Sequence, residues 1–222
     1  MTQWLDTALT SKQFLLAMFE TFTMVSIALV IGSLLGILLG IALVVTRPDG
    51  IWENKWVYRI INPIINTVRS LPFIILLVAM IPLTRFMVGT SIGTTAAIVP
   101  LVIYIAPYTA RLIENSLLSV HSGIIEAADS MGATNWQIVW HFILPEAKSS
   151  LILSLTAASI TLVGATAMAG AVGGGGVGDL ALNYGYQRFD NVAMAITVVT
   201  LVIIVQGIQM IGDYLAKKAR FH

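Results

Sequence analysis

The sequence predicts an all-α integral membrane protein, with five transmembrane helices and a polar helix-turn-helix loop between the third and fourth. Three observations predict it. Of 222 residues, 57% are hydrophobic and 10% charged, with a mean hydropathy of +0.89, whereas a soluble domain is about half apolar and about a quarter charged. Five windows, 21–46, 70–84, 86–110, 149–178 and 191–212, contain no Asp, Glu, Lys or Arg. From Arg111 to Ser149 the hydrophobic pattern stops. The net charge of +1 offers no basic field for nucleic acid, and the lack of cysteine excludes disulfide and thiol chemistry.

A spanning helix needs about 20 apolar residues. The windows therefore read as one transmembrane domain over 1–222, with spans at 18–46, 70–88, 92–112, 149–172 and 191–212 and a polar loop at 113–148. The second window is short, so its helix borrows its ends, with Arg69 and Arg85 snorkelling to the two interfaces. Met1 to Gln13 is polar and shows no basic leader with a cleavage site, so the first span is expected to insert and stay. Lys and Arg set the orientation. With the C-terminus in the cytoplasm, the inner segments hold Arg47, Lys55, Arg59, Arg69, Arg111, Lys148, Lys217, Lys218 and Arg220, and the outer ones Lys12, Arg85 and Arg188. That bias places the N-terminus outside, the polar loop in the cytoplasm and the glycine run at 173–176 outward.

Within the first span, Gly32, Gly36 and Gly40 recur every fourth residue, a spacing that lets helix backbones approach closely. Packing within one subunit is favoured over a dimer contact. Pro100 and Pro107 bend the third span. The fourth offers Ser154, Thr156, Ser159, Thr161 and Thr166, then Met168 ahead of the glycines. Its hydroxyls either satisfy their own helix or line a polar path, with Met168 as a flexible apolar constriction. No charge lies deep in any span, Glu20 and Arg85 being edge cases, which counts against a proton- or ion-driven transporter and favours an external energy source.

The polar loop carries its own signals. Ser122 is placed to cap a helix over 123–131, with Glu126 near its positive end. Gly132 suits the left-handed residue that ends it. Thr134 and Gln137 form a capping box for a second helix bearing Trp136, Val139, Trp140 and Ile143, and Pro145 stands near the start of the fourth span. On the first helix Ile124, Ala127, Ala128 and Met131 share one side and Glu126, Asp129 and Ser130 another. Two acids and no base argue against a helix lying on lipid and for a protein partner.

Glu126-Ala127-Ala128, three residues, Gly132, then nine residues and Phe142-Ile143-Leu144-Pro145 resemble the EAA loop of binding-protein-dependent ABC importer permeases. The family prefers Ile where this chain has Phe142. Arg69 to Ile75, Val88 to Gly93 and Tyr184-Gly185-Tyr186 are similar to the methionine-uptake branch. The resemblance implies a type I importer permease fold working as a homodimer. Each subunit would dock one of two cytoplasmic ATPase subunits through a coupling helix at Glu126, Ala127, Ala128, Gly132, Leu144 and Pro145. An extracytoplasmic binding protein would deliver substrate in the bacterial inner membrane. ATP and Mg would sit on the ATPase and no cofactor on this chain, which lacks a Gly-x-x-x-x-Gly-Lys-Ser/Thr loop. The translocation path or gate would involve Met168, Thr161 and Thr166. An ATP-independent secondary transporter or channel is the alternative, although neither internal repeats nor intramembrane acids point to it. A membrane enzyme is disfavoured, since His121, His141 and His222 form no close metal-ligand pair, so no catalytic or metal site is expected. Composition alone leaves a structural assembly subunit open.

Overall fold

The structure is a computed structural model describing residues 7–48 and 50–220. Among the described residues every regular element is helical. The first helix, α1 (Ser11–Thr46), opens with a capping box in which the Thr10 hydroxyl accepts from the Gln13 backbone and the Gln13 side chain accepts from the Thr10 backbone. The helix α5 (Thr94–Leu118) packs along it, and the small residues decide how closely. A Cβ built on Gly32 would lie 2.1 Å from Ile105 Cγ2, on Gly36 2.8 Å from the Ala106 carbonyl oxygen, and on Gly40 2.7 Å from that of Ala110. All three glycines therefore serve contact within the chain. Pro100 and Pro107 are both buried in α5, which runs on through them.

Between α1 and α5 the chain departs from the expected single span at 70–88. An amphipathic helix α2 (Lys55–Ser70) is followed by α3 (Phe73–Ala79), bent from it by 105°, and then α4 (Ile81–Val88). Two prolines explain the interruptions. Pro72 is the N-cap of α3, and Pro82 in the first turn of α4 has no N–H to extend the preceding ladder. Among the described residues four helices are long and apolar enough to cross a membrane: α1, α5, α9 (Lys148–Gly170) and α11 (Asn191–Arg220). The bent pair of α2 and α3 supplies the fifth when counted as one span.

One apolar core joins Met24 and Ala28 of α1, Phe73 and Leu77 of α3, Leu101 and Ile105 of α5, and Ala158, Leu162 and Ala165 of α9. At the other end of α9 the glycines make a sharp reversal. Gly173, Gly175 and Gly176 have φ of +84°, +79° and +83°, a region closed to most side chains. The short helix α10 (Gly176–Leu180) then turns back along α9, so close that a Cβ on Gly170 would lie 2.4 Å from the Asp179 nitrogen. Glu20 and Thr21 of α1 secure this reversal. The Gly176 N–H donates to Glu20 Oε2 at 2.7 Å and the Val177 N–H to Thr21 Oγ1 at 2.9 Å. A π-helical stretch (Ala181–Tyr186) leads on to α11. Asp190 fixes that junction, accepting from the Ala193 N–H, the Ala8 N–H and the Thr7 hydroxyl. These bonds, led by that from Ala193, hold its carboxyl below the usual range.

The close α1–α5 approach generates a test. Gly36→Val is expected to lose about 1–3 kcal/mol through overpacking against backbone that cannot yield. Gly207→Ala, whose added Cβ meets nothing within 4 Å, is expected to be neutral. Thermal unfolding of the purified variants in detergent checks both.

Candidate functional site

The site is the loop after α5, built on its own core. Helix α6 (Ser122–Ser130) starts after three intervening residues beyond α5, and its cap is His121, not Ser122: the Gly123 N–H donates to His121 Nδ1 at 3.0 Å. The imidazole takes the place of the hydroxyl that local propensity favours. At the other end Gly132 has φ +78°, its N–H donates to the Asp129 carbonyl, and the Ala133 N–H reaches back to that of Ala128. This is a Schellman closure. No atom lies within 4 Å of a Cβ on Gly132, so backbone sign rather than space demands glycine.

Thr134 and Gln137 form the capping box that opens α7 (Asn135–Gln137). The chain then widens into a π-helical turn (Ile138–Ile143), where the Leu144 N–H donates to the Val139 carbonyl five residues back. Pro145 follows at the start of α8 (Leu144–Glu146). A proline ring crowds the carbonyl four residues before it and offers it no donor, and the wider turn accommodates both effects. The wide turn also buries Ile138, Val139 and Ile143 together.

The two loop helices rest on the ends of α1 and α5. Ala128 is fully buried among Val44, Ile113, Leu117, Ile138 and Ile143. Ala127, one residue away, is exposed with Glu126, Asp129 and Met131. The expected pairing of the two alanines on one face is therefore corrected, because a step of about 100° along a helix sends Ala128 to the core and leaves Ala127 outside. Trp136 ties the loop to the α1–α2 connection, packing in tilted geometry between Trp52 and Trp140 at centroid distances of 6.0 and 5.5 Å. The Asn135 side chain donates to the Ile51 carbonyl at 2.9 Å. Beside the turn, Met131, Gly132, Ala133 and Gln137 line an open groove of about 460 Å³. Leu144 is half-buried, and exposed Pro145 lines a second groove of about 620 Å³ with Ile124, His141 and Arg220.

Of the residues suggested for the path, two share a face and one does not. Leu153, Ala157, Thr161, Gly164 and Met168 form one stripe of α9 that the other described residues do not cover fully, and Met168 is 51% exposed. Thr166 points the other way, 2% exposed, its hydroxyl donating to the Val163 carbonyl. Thr156, Ser159 and Thr161 likewise bond carbonyls of their own helix.

Sequence reasoning missed a partly buried polar cluster below the loop. The Arg111 guanidinium pairs with Glu114 and donates to Asn62 Oδ1 at 2.6 Å and Asn66 Oδ1 at 2.7 Å. The signal was present in two spacings: asparagines four apart on amphipathic α2, and an Arg and Glu three apart at the end of α5. Ser116, less than two turns past Arg111, meets Ser150 and Ser154 of α9 at 3.0 and 2.7 Å.

A bundle of apolar helices with so much uncovered apolar surface, bearing a rigid polar loop with an exposed docking face, defines a multi-pass membrane permease that works with other chains. Residues 32–220 match the family described as the binding-protein-dependent transport system inner membrane component, and the chain belongs to that family. It is 50% identical over 216 residues to a probable D-methionine transport system permease protein of Vibrio cholerae, covering 97% of this chain and 95% of that one. It is 43% identical to the methionine import system permease protein of Bacillus subtilis over 77% of each chain. Among solved structures, an inward-facing MetNI methionine ABC transporter chain superposes with a TM-score of 0.90 at 45% identity, covering 95% of this chain and 99% of that one. The chain is thus a transport subunit and not an enzyme, and the reading as a secondary transporter or channel falls away.

The division of α6 into two faces predicts opposite outcomes for neighbouring residues. Ala128→Leu, forced into a filled core, is expected to cost about 1–3 kcal/mol, and Ala127→Leu less than about 0.5 kcal/mol. Denaturation of the detergent-solubilised chain separates them.

Proposed function

We propose that this chain is the membrane subunit of an ATP-driven methionine importer. A single transmembrane domain over 1–222 pairs with a second copy to enclose the translocation path. Each copy docks one cytoplasmic ATPase subunit, which holds ATP and Mg. No cofactor sits on this chain, and an extracytoplasmic binding protein delivers the amino acid. The exposed loop face faces the cytoplasm with the C-terminus, and the N-terminus lies outside, as the Lys and Arg bias supports.

One observation carries the docking reading: Glu126 and Ala127 are exposed on a helix whose opposite face, through Ala128, is locked into the ends of α1 and α5. A push on α6 reaches the spanning helices without being absorbed by a soft hinge. Glu126 is the polar anchor, Ala127 the low-relief contact, and Ala128 the seat of the helix. Gly132 sets the exit angle, while Leu144 and Pro145 carry the motion into α9. ATP-driven closure of the two ATPases moves both loops and turns the path outward, and hydrolysis resets it.

Reconstitution of the chain with its co-purified ATPase and binding protein tests the reading. ATP-dependent uptake of methionine above that of a panel of other amino acids is expected, and uptake without ATP, or none of methionine, overturns it. Gly132→Trp is expected to insert at normal abundance, since the turn is exposed and nothing crowds it, but to strain the left-handed backbone that sets the exit angle and so abolish uptake. Normal uptake in that variant removes Gly132 from the coupling path.

Met168, on the uncovered stripe of α9, serves as the apolar constriction, with Thr161 two turns away on the same face. Met168→Ala is expected to raise passive methionine leak into liposomes in the absence of ATP. An unchanged leak makes the residue packing only.

A further inference from the structure

We infer that Arg111 is a positioning residue that joins α2 and α3 mechanically to the coupling helix. The inference rests on the importer reading above. It begins with an expense: Arg111 and Glu114 have side chains only 18% and 6% exposed. Removing two charges from water is costly, and an ion pair withstands it only where further hydrogen bonds complete its geometry. Here the completing bonds come from another helix. Asn62 and Asn66, one turn apart on α2, both present their oxygens to the same guanidinium nitrogen. The Asn66 amide in turn donates to Asn62 Oδ1 at 3.3 Å, which orients the pair.

The location gives the cluster its use. Arg111 lies two turns from the end of α5, and only three residues separate that end from α6. Any displacement of the loop therefore reaches Arg111 along a short, continuous helix. On the far side, α2 runs to the elbow at Leu71 and Pro72, where the chain bends by 105° into α3. Helix α3 buries Phe73 and Leu77 in the main core, with Phe73 against Tyr104 at a centroid distance of 4.9 Å. Apart from the hydrogen bonds to Arg111, α2 holds to the bundle through apolar contact, with Ile65 packed on Leu43 and Ala110 and flanked by Tyr58 and Ile61. Apolar contacts slide at low cost, whereas a guanidinium fixed by three acceptors has one favourable position. Arg111 thus converts movement of the loop into rotation of α2 about its elbow and displacement of α3 in the core. The serine contacts of Ser116 make the matching link to α9.

The test uses the whole transporter in liposomes, with methionine transported per ATP hydrolysed as the readout. Asn62→Leu with Asn66→Leu removes both acceptors, retains side-chain volume and leaves the Arg111–Glu114 pair. ATP hydrolysis is expected to persist within about twofold while transport per ATP falls about fivefold, the size of a coupling loss near 1 kcal/mol. Asn62→Asp with Asn66→Ala, which keeps one acceptor for the guanidinium, is expected to recover most of the ratio. An unchanged ratio in the double leucine variant at normal abundance overturns the inference. So does a parallel loss of hydrolysis and transport that the aspartate variant does not rescue, because a merely structural role behaves that way. Absence of ATP-driven uptake in the unsubstituted transporter is a separate failure, that of the importer reading.

Discussion

The approach of α1 to α5 is the constraint on which the remaining structure depends. Gly36 and Gly40 put backbone against backbone, where a Cβ would lie within 2.8 Å of a carbonyl oxygen. In a bilayer, lipid supplies no hydrophobic drive between helices, so close packing of this kind is what holds them. With α1 and α5 joined, their far ends form one platform of Val44, Ile113 and Leu117, and the loop sits on it. Their other halves place Met24, Ala28, Leu101 and Ile105 in the core that receives α3 and α9. Gly176 and Val177 then attach to Glu20 and Thr21 on the same α1.

Polar groups appear where apolar packing cannot specify a single arrangement. Glu20 satisfies the backbone of a reversal that glycine alone would leave loose. Asp190 gathers the start of α11 and the segment before α1 onto one carboxylate. Arg111 and Ser116 do the same for the end of α5. Each acts between elements distant in sequence, and each lies at an end of the bundle or beside a break in a helix.

Much of this was legible in the chain. Charge-free windows gave the long helices because a bilayer imposes length and apolarity on any span. Spacing gave the glycine contact, and the signs for a left-handed Gly132 and a Thr134–Gln137 box are local, set by residues within one turn. The second window misled because hydropathy counts residues and ignores donors: Pro72 and Pro82 break the ladder without altering apolarity. His121 displaced Ser122 as cap because a ring nitrogen from the preceding residue reaches the same N–H. The burial of Ala128 and the Arg111 cluster needed the third dimension, since nothing in one residue's type says which helix its face will meet. The partition of α9, with Thr161 and Met168 on one side and Thr166 on the other, follows from helical phase once its neighbours are known.

Ala127 and Ala128 carry one further consequence. A single turn of α6 serves as both foundation and contact, with the two duties assigned to adjacent residues. The loop is therefore intolerant of changes in length. Two residues inserted ahead of Glu126 would rotate the helix by about 200°, bring the carboxylate to the seat of Ala128 beside Ile113 and Leu117, and expose the alanine that fills it. The fixed interval from Glu126 to Gly132 is a phase relation, a key cut to one angle, in which the count of residues matters as much as their kind.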